Sequence, residues 1–146
     1  MALDTPKPSR KKTKQRKTTV PARELTLHAI EAILSKKGTD VSVVDLRTVS
    51  GVADFFVLCT GDSDQQIKAI ADAVRWMIRD HCDELPWHTE GYASKRWVLL
   101  DYVDVVVHVF DPERRAFYDL ERLWADAPIE QATDEDPDIS FLQPDA

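Results

Sequence analysis

The chain has 146 residues, 43% of them hydrophobic, and a formal net charge of -7. That suits one domain with a real core, and its acidity argues against a surface given over wholly to nucleic acid. No 18-residue apolar run is present to span a membrane, the basic N-terminus lacks the apolar stretch of a secretory signal, and two cysteines suggest no disulfide framework but a reducing, cytoplasmic setting.

Residues 1–23 carry eight basic side chains against one acid, Asp4, and lack apolar periodicity. They are expected to be a disordered basic tail, suited either to phosphate contact or to solubility. Residues 126–146 carry seven acids and no Lys or Arg, and are expected to be a disordered acidic tail. Residues 24–125 form the folded body between them.

Within the body, LTLHAIEAILSKKG predicts a helix with Leu27, Ile30, Ile33 and Leu34 on one face and a stop at Lys36, Lys37 and Gly38. VSVVDL (41–46) predicts a short strand. DFFVLCT (54–60) is nearly all apolar, which predicts a central strand covered on both faces, with Cys59 as a small buried hydrophobe. In the next segment Ile67, Ile70, Ala71, Val74, Met77 and Ile78 recur at helical spacing. Ser63 and Gln66 fit a capping box at its start, and Trp76 falls on its polar side, where it could meet a second copy or another partner. KRWVLLD (95–101) and DVVVHVF (104–110) predict a β-hairpin. Asp111 and Pro112 then open a last helix, packed down by Phe117, Leu120, Leu123 and Trp124. The order α-β-β-α-β-β-α predicts a mixed sheet of about four strands with helices mainly on one face.

The chemistry-bearing residues form no recognised catalytic set. Neither the phosphate-binding glycine pattern nor the dinucleotide-binding one occurs among the four glycines. The CTGDSD turn leads into a helix, but Asp62 and Asp64 would repel a phosphate there, and capping explains both. HCDELPWH matches neither a zinc finger nor a zinc-protease spacing, so no metal or cofactor is expected. No nucleophile elbow is present, and nothing in the sequence favours a Cys59–His108 pair.

The hairpin is more informative. With Tyr102 and Val103 as the loop, Trp97 opposes His108, Leu99 opposes Val106 and Asp101 opposes Asp104. Side chains alternate, so Val98, Leu100, Val105, Val107 and Val109 share one face, which should meet the helices. The other face mixes Trp97, Leu99, His108 and Phe110 with the acids. Aromatics with a polar rim have the make-up of a binding patch, which is the favoured reading; the alternative is that the tails or a terminal helix simply cover them.

Three separated blocks, VVDLRTVSGVADFFVLCTGDSDQQIKAIAD, EGYASKRWVLLDYVDVVVHVF and ERRAFYDLERLW, appear in order over residues 27–124. Together they resemble the ribosomal silencing factor family, also called Iojap. The resemblance implies a nucleotidyltransferase-like α/β fold without the catalytic acids. It implies a translation repressor that binds the large ribosomal subunit through its protein fourteen and blocks small-subunit joining when nutrients are scarce. It also implies a homodimer in the free state. The family's binding region carries over to Glu90, Trp97, Asp101, Asp104, His108 and Tyr118, and the hairpin adds Leu99 beneath Trp97. Contact of the basic tail with ribosomal RNA is a separate expectation, and a nucleotide-binding enzyme of the nucleotidyltransferase type is the alternative. One departure stands out. The family pattern has glycine where this chain has Val103, and a β-branched residue is disfavoured at positive φ.

Overall fold

The computed structural model of the chain describes residues 20–143. The basic segment 1–19 lies outside the described residues. Helix α1 spans Ala22–Ser35, strand β1 Thr39–Asp45, β2 Phe55–Thr60 and helix α2 Asp64–Cys82. Then follow β3 (His88–Glu90), β4 (Trp97–Asp101), β5 (Val105–Phe110), α3 (Pro112–Tyr118), α4 (Leu120–Leu123) and β6 (Ile129–Ala132). A short 3₁₀ turn, Ser140–Leu142, closes the described chain. The sheet has six strands in the order β3-β4-β5-β2-β1-β6, rather than about four. Among the described residues only β2 and β5 pair in parallel, and the other pairs are antiparallel.

Period-two alternation divides the sheet into two buried faces. Val41, Val43, Phe55, Val57, Cys59, Val98, Leu100, Val105, Val107 and Val109 point to the face covered by α1 and α2. Val44, Phe56, Leu58, Leu99, Val106 and Phe110 point to the other, where Leu120 and Ala127 close over them with Trp124 at the edge. Helices therefore lie on both faces, not mainly on one. Cys59 and His108 point to opposite faces and cannot act as a pair.

The two long helices are set as the sequence predicts, with differences in detail. Leu25, Ala29, Ile30, Ala32 and Ile33 bury the inner face of α1, while Leu27 is exposed. At its C-terminus Lys37, not glycine, takes the left-handed conformation (φ 64). Gly38 serves a different need, because a Cβ there would lie 2.5 Å from Ile33 Cγ2. Ser63 Oγ accepts the Gln66 N–H at 3.1 Å and caps α2. The Gln66 side chain accepts the Asp62 N–H and donates to the carbonyls of Lys36 and Lys37, so one amide joins the end of α1 to the start of α2.

The β4–β5 register differs from the expected one by two residues. Trp97 opposes Phe110, Leu99 opposes His108 and Asp101 opposes Val106. An even shift leaves every side chain on its predicted face, which is why the face assignment survives. The turn is centred on Val103, with φ 76. Asp101 Oδ1 accepts the Val103 N–H at 2.8 Å, and the Asp104 N–H donates to the Tyr102 carbonyl at 3.0 Å. This is a γ-turn in its positive-φ form, which costs on the order of 1–3 kcal/mol for a β-branched residue. Burial of the Val103 side chain and the Asp101 bond offset that cost.

The acidic segment departs most from expectation. Residues 126–143 are not a tail: β6 pairs with β1, and Ile139 and Leu142 lie fully buried against the α1–α2 core. Phe141 stacks on Phe55 with ring centroids 6.1 Å apart. Glu130 accepts both the N–H and the hydroxyl of Ser140, which closes the intervening loop. The acids face water while a few spaced apolar residues anchor the chain, and average composition does not register so sparse a pattern. Ile139→Ala should therefore destabilise the fold by about 2–5 kcal/mol, the usual cost of truncating a buried isoleucine, in a denaturant titration. A change within error would mean that the segment contributes nothing to the core.

Candidate docking cleft

Trp97 begins β4 at the rim of the second face and is only half-buried. Its indole stacks on Phe110 from the opposing strand (4.9 Å between centroids) and meets Tyr118 from α3 at a tilt (4.7 Å between centroids). Its Nε1–H donates to His108 Nδ1 at 3.1 Å. Beside it opens a cleft of about 250 Å³, lined by Glu90 at the end of β3, Gly91, Ser94 and Arg96 from the β3–β4 connection, Trp97 and Leu99 from β4, and Arg114 and Tyr118 from α3. Gly91 has φ 87, and a Cβ there would lie 1.9 Å from the Trp97 carbonyl, so the loop can approach β4 only with glycine in that place.

The sequence-predicted residues divide into two groups. Glu90, Trp97, Leu99 and Tyr118 meet at the cleft. Glu90 is exposed, with its carboxylate 2.8 Å from His88 Nε2, and Tyr118 is exposed beside Phe117. Asp101, Asp104 and His108 do not line the cleft. Asp101 and His108 are buried, at 2% and 0% exposure, and so is Leu99 at the cleft floor, at 2%. The expected outward face of the hairpin is thus covered rather than open. Asp101 is spent on the Val103 turn, and Asp104 is half-buried at the tip, at the far end of β4 from Trp97.

What covers that face is the broken last helix. Asp111 caps α3 through the Arg114 N–H at 2.7 Å, with Pro112 at its first position. The chain then turns at Asp119 (φ 47) before α4. That break sends Leu120 inward, with Trp124 edge-on to Phe56, and leaves Phe117 and Leu123 exposed, although both had been expected to pack inward. A second shallow groove runs over Glu113, Arg114, Ala116, Phe117 and Tyr118. Sequence reasoning missed Arg114 and Phe117. Their spacing of three residues from a clear cap was the available signal, but the break at Asp119 rotated the face.

Arg115 secures the cover from beneath. Its guanidinium donates to Thr60 Oγ1 at 3.0 Å, to Ser42 Oγ at 3.3 Å and to both carboxylate oxygens of Glu121 at 2.5 and 3.3 Å. Ser42 in turn donates to Glu121 at 2.8 Å. Burial pushes the Glu121 carboxyl up, but the Arg115 and Ser42 bonds outweigh it and leave its pKa lowered. With its groups bonded to one another, the network is a structural clamp and not a site with free valences.

The acids do not converge as a metal-dependent transferase would need. Asp101 and Asp104 lie at the β5 N-terminal end, where Phe55 pairs with Val105, and Asp62 and Asp64 follow the β2 C-terminal end, where Thr60 pairs with Phe110. Six residues of strand separate the two ends by about 20 Å. Among the described residues no cluster of three or more His, Cys, Asp or Glu side chains is placed to hold a metal ion. Burial pushes the Cys59 thiol up to about 12, which leaves it inert as a nucleophile.

Burial, with Arg115 nearby, holds His108 down to about 3, so the folded protein keeps it neutral. An unfolded chain protonates the same imidazole near its ordinary 6.5. Stability that is present above pH 6.5 is therefore lost as pH falls toward 3, with a limiting slope of about 1.4 kcal/mol per pH unit from this residue. Denaturant titrations from pH 7.5 to 5 should show a shallower loss for His108→Asn than for the wild type. Parallel curves would remove His108 as the source.

A family model described as "Ribosomal silencing factor during starvation" matches residues 19–144. The chain is 43% identical over 105 residues to the ribosomal silencing factor RsfS of Halalkalibacterium halodurans, covering 72% of this chain and 89% of that one. It is also 43% identical over 104 residues to the RsfS of Bacillus subtilis, covering 69% and 85%. Among solved structures it is similar to a Chromobacterium violaceum protein at 36% identity, with a TM-score of 0.69 over 73% of this chain and 88% of that one.

Proposed function

Since the chain belongs to the ribosomal silencing factor family, we propose that it represses translation by docking the Trp97 cleft on the large ribosomal subunit. It is a regulator of translation and not an enzyme, as its family membership supports. The partner is protein fourteen of the large subunit, and occupancy excludes the small subunit when nutrients are limiting. The mechanism is steric, so it needs affinity and bulk but no bond-making.

The observation that carries this reading is Trp97 itself. A half-buried indole in contact with two aromatic rings, at the edge of a polar-rimmed cleft, has the character of a binding anchor. Phe117, at 78% exposure, extends the apolar surface over α3. Glu90 offers an acid to a basic ribosomal protein, and Asp104 a second one at the hairpin tip. Leu99, Asp101 and His108 act from beneath: Leu99 floors the cleft, Asp101 holds the turn and His108 holds Trp97. The scaffold is of the nucleotidyltransferase type in this reading, without the catalytic acids.

Two further elements belong to the same proposal. The free protein pairs as a homodimer in the cytoplasm, with Trp76 on the outer side of α2, at 61% exposure, as a surface available for contact. The basic segment 1–19 contacts ribosomal RNA in this reading. None of the helices among the described residues is long and apolar enough to cross a membrane.

Trp97→Ala should weaken binding to purified large subunits by about 2 kcal/mol or more, roughly 30-fold, in a sedimentation titration. Wild-type affinity in that variant would discard the cleft as the docking site. Deleting residues 1–20 should lower affinity and flatten its dependence on salt, because fewer counterions are released. Equal affinity at every salt concentration would remove RNA contact from the reading.

A further inference from the structure

Trp97 is the half-buried anchor at the rim, yet its orientation is decided by a residue that no partner can touch. His108 is fully buried in the middle of β5, between Leu58 of β2 and Leu99 of β4. Its neighbours on the second face are Phe56, with ring centroids 4.7 Å apart, and Phe110 at 6.0 Å. A leucine would satisfy such surroundings. A histidine brings two ring nitrogens that must find partners or go without.

The hydrogen bonds fix which nitrogen carries the proton. Indole Nε1–H can only donate, so His108 Nδ1 must offer a lone pair. In a neutral ring the proton then sits on Nε2. That N–H is buried and has no hydrogen-bond partner. Leaving a buried donor unmade is costly, and nothing in the packing recovers it. The one bond that His108 does make goes to Trp97.

The aromatic partners of Trp97 cannot replace that bond. Phe110 stacks on the indole and Tyr118 leans against it, but packing of this kind is indifferent to which edge of the indole lies inward. Turning the indole over within the same slot would aim Nε1–H away from the sheet. The bond to His108 selects one of the two edges, and so decides which edge the cleft presents. The other His108 tautomer and the imidazolium would each point N–H at N–H. The charged ring would also be repelled by Arg115, although that charge is paired with Glu121.

We propose that His108 is a positioning residue for docking: through Nδ1 it locks the Trp97 indole in the one orientation that the ribosomal partner reads. This rests on the Trp97 cleft being the docking site, so the test needs a readout that does not involve the ribosome. His108→Leu keeps bulk and loses the acceptor. His108→Asn places a carbonyl oxygen near the Nδ1 position and keeps it. Trp97→Phe keeps a stacking ring and loses the donor.

In ¹H–¹⁵N spectra of the free full-length protein, the Trp97 indole N–H should be shifted downfield and slow to exchange in the wild type and in His108→Asn. In His108→Leu it should move toward the free-indole position and exchange faster. Binding to purified large subunits should fall about tenfold in His108→Leu, stay within about threefold of wild type in His108→Asn, and fall no further when Trp97→Phe is combined with His108→Leu than in either alone. The missing additivity is the signature of one residue acting through the other. Circular dichroism and thermal melts confirm that each variant is folded. Should His108→Leu prove too unstable, His108→Phe takes its place in the same cycle: it also lacks the acceptor and suits the neighbouring Phe56 and Phe110 rings.

An unmoved indole signal in folded His108→Leu would overturn the proposal. So would additive losses in the double variant, or a folded His108→Asn that binds as poorly as His108→Leu. If the indole signal moves as expected but Trp97→Ala binds like wild type, the positioning contact stands and the docking site lies elsewhere.

Discussion

The structure depends on one constraint: β2 and β5 are buried on both faces, so every residue in them has to be placed in one of two separate interiors. Alternation makes that assignment and leaves no freedom afterwards. Val105, Val107 and Val109 go to the α1–α2 side, and Val106, His108 and Phe110 go to the other. A sheet with two interiors needs two covers. Long amphipathic helices supply the first. The second is built from short pieces, α3, α4 and residues near Ala127, which bury less area and therefore need a clamp. Arg115 and Glu121 provide it, tying the cover to Ser42 of β1 and Thr60 of β2.

Polar residues within the second interior share a common logic. Each is bonded to something that shapes the surface above it. Asp101 fixes a turn whose central residue is a strained valine, and His108 fixes an aromatic ring at the rim. Their position beneath the surface explains how a face with acids and imidazole can be buried without being an active site. Their hydrogen bonds are satisfied by neighbours, save the single Nε2–H of His108. The exposed chemistry of the cleft is contributed instead by Glu90, Arg96 and Arg114, at the ends of elements where side chains reach water.

Much of this was legible in the sequence, and the failures have physical causes. The faces of β4 and β5 were legible because parity is insensitive to an even shift; their register was not, because it turns on Val103 adopting a backbone conformation that its side chain disfavours. Trp97 and Tyr118 were legible as neighbours of Glu90 through family resemblance. The burial of Leu99, Asp101 and His108 was not, since period-two patterning says which face a residue joins but not what lies over it. Phe117 was read as inward because nothing in ERRAFYDLERLW announces a left-handed Asp119. Two strands escaped notice for simple reasons. β3 has three residues, two of them exposed, and β6 sits in a segment whose acids dominate its composition.

The left-handed break at Asp119 has a consequence for how this protein can change. It lets eight consecutive residues serve two masters, with Phe117 and Tyr118 turned to the outside and Leu120 and Trp124 turned to the sheet. Lesions in that stretch would be pleiotropic, altering how much protein a cell retains together with how well each copy binds. A partner surface that drifted could not be followed by free substitution there, because compensating changes would have to respect the interior as well. Adaptation is thereby steered toward the β3–β4 connection, where Ser94 and Arg96 face the cleft without holding the core.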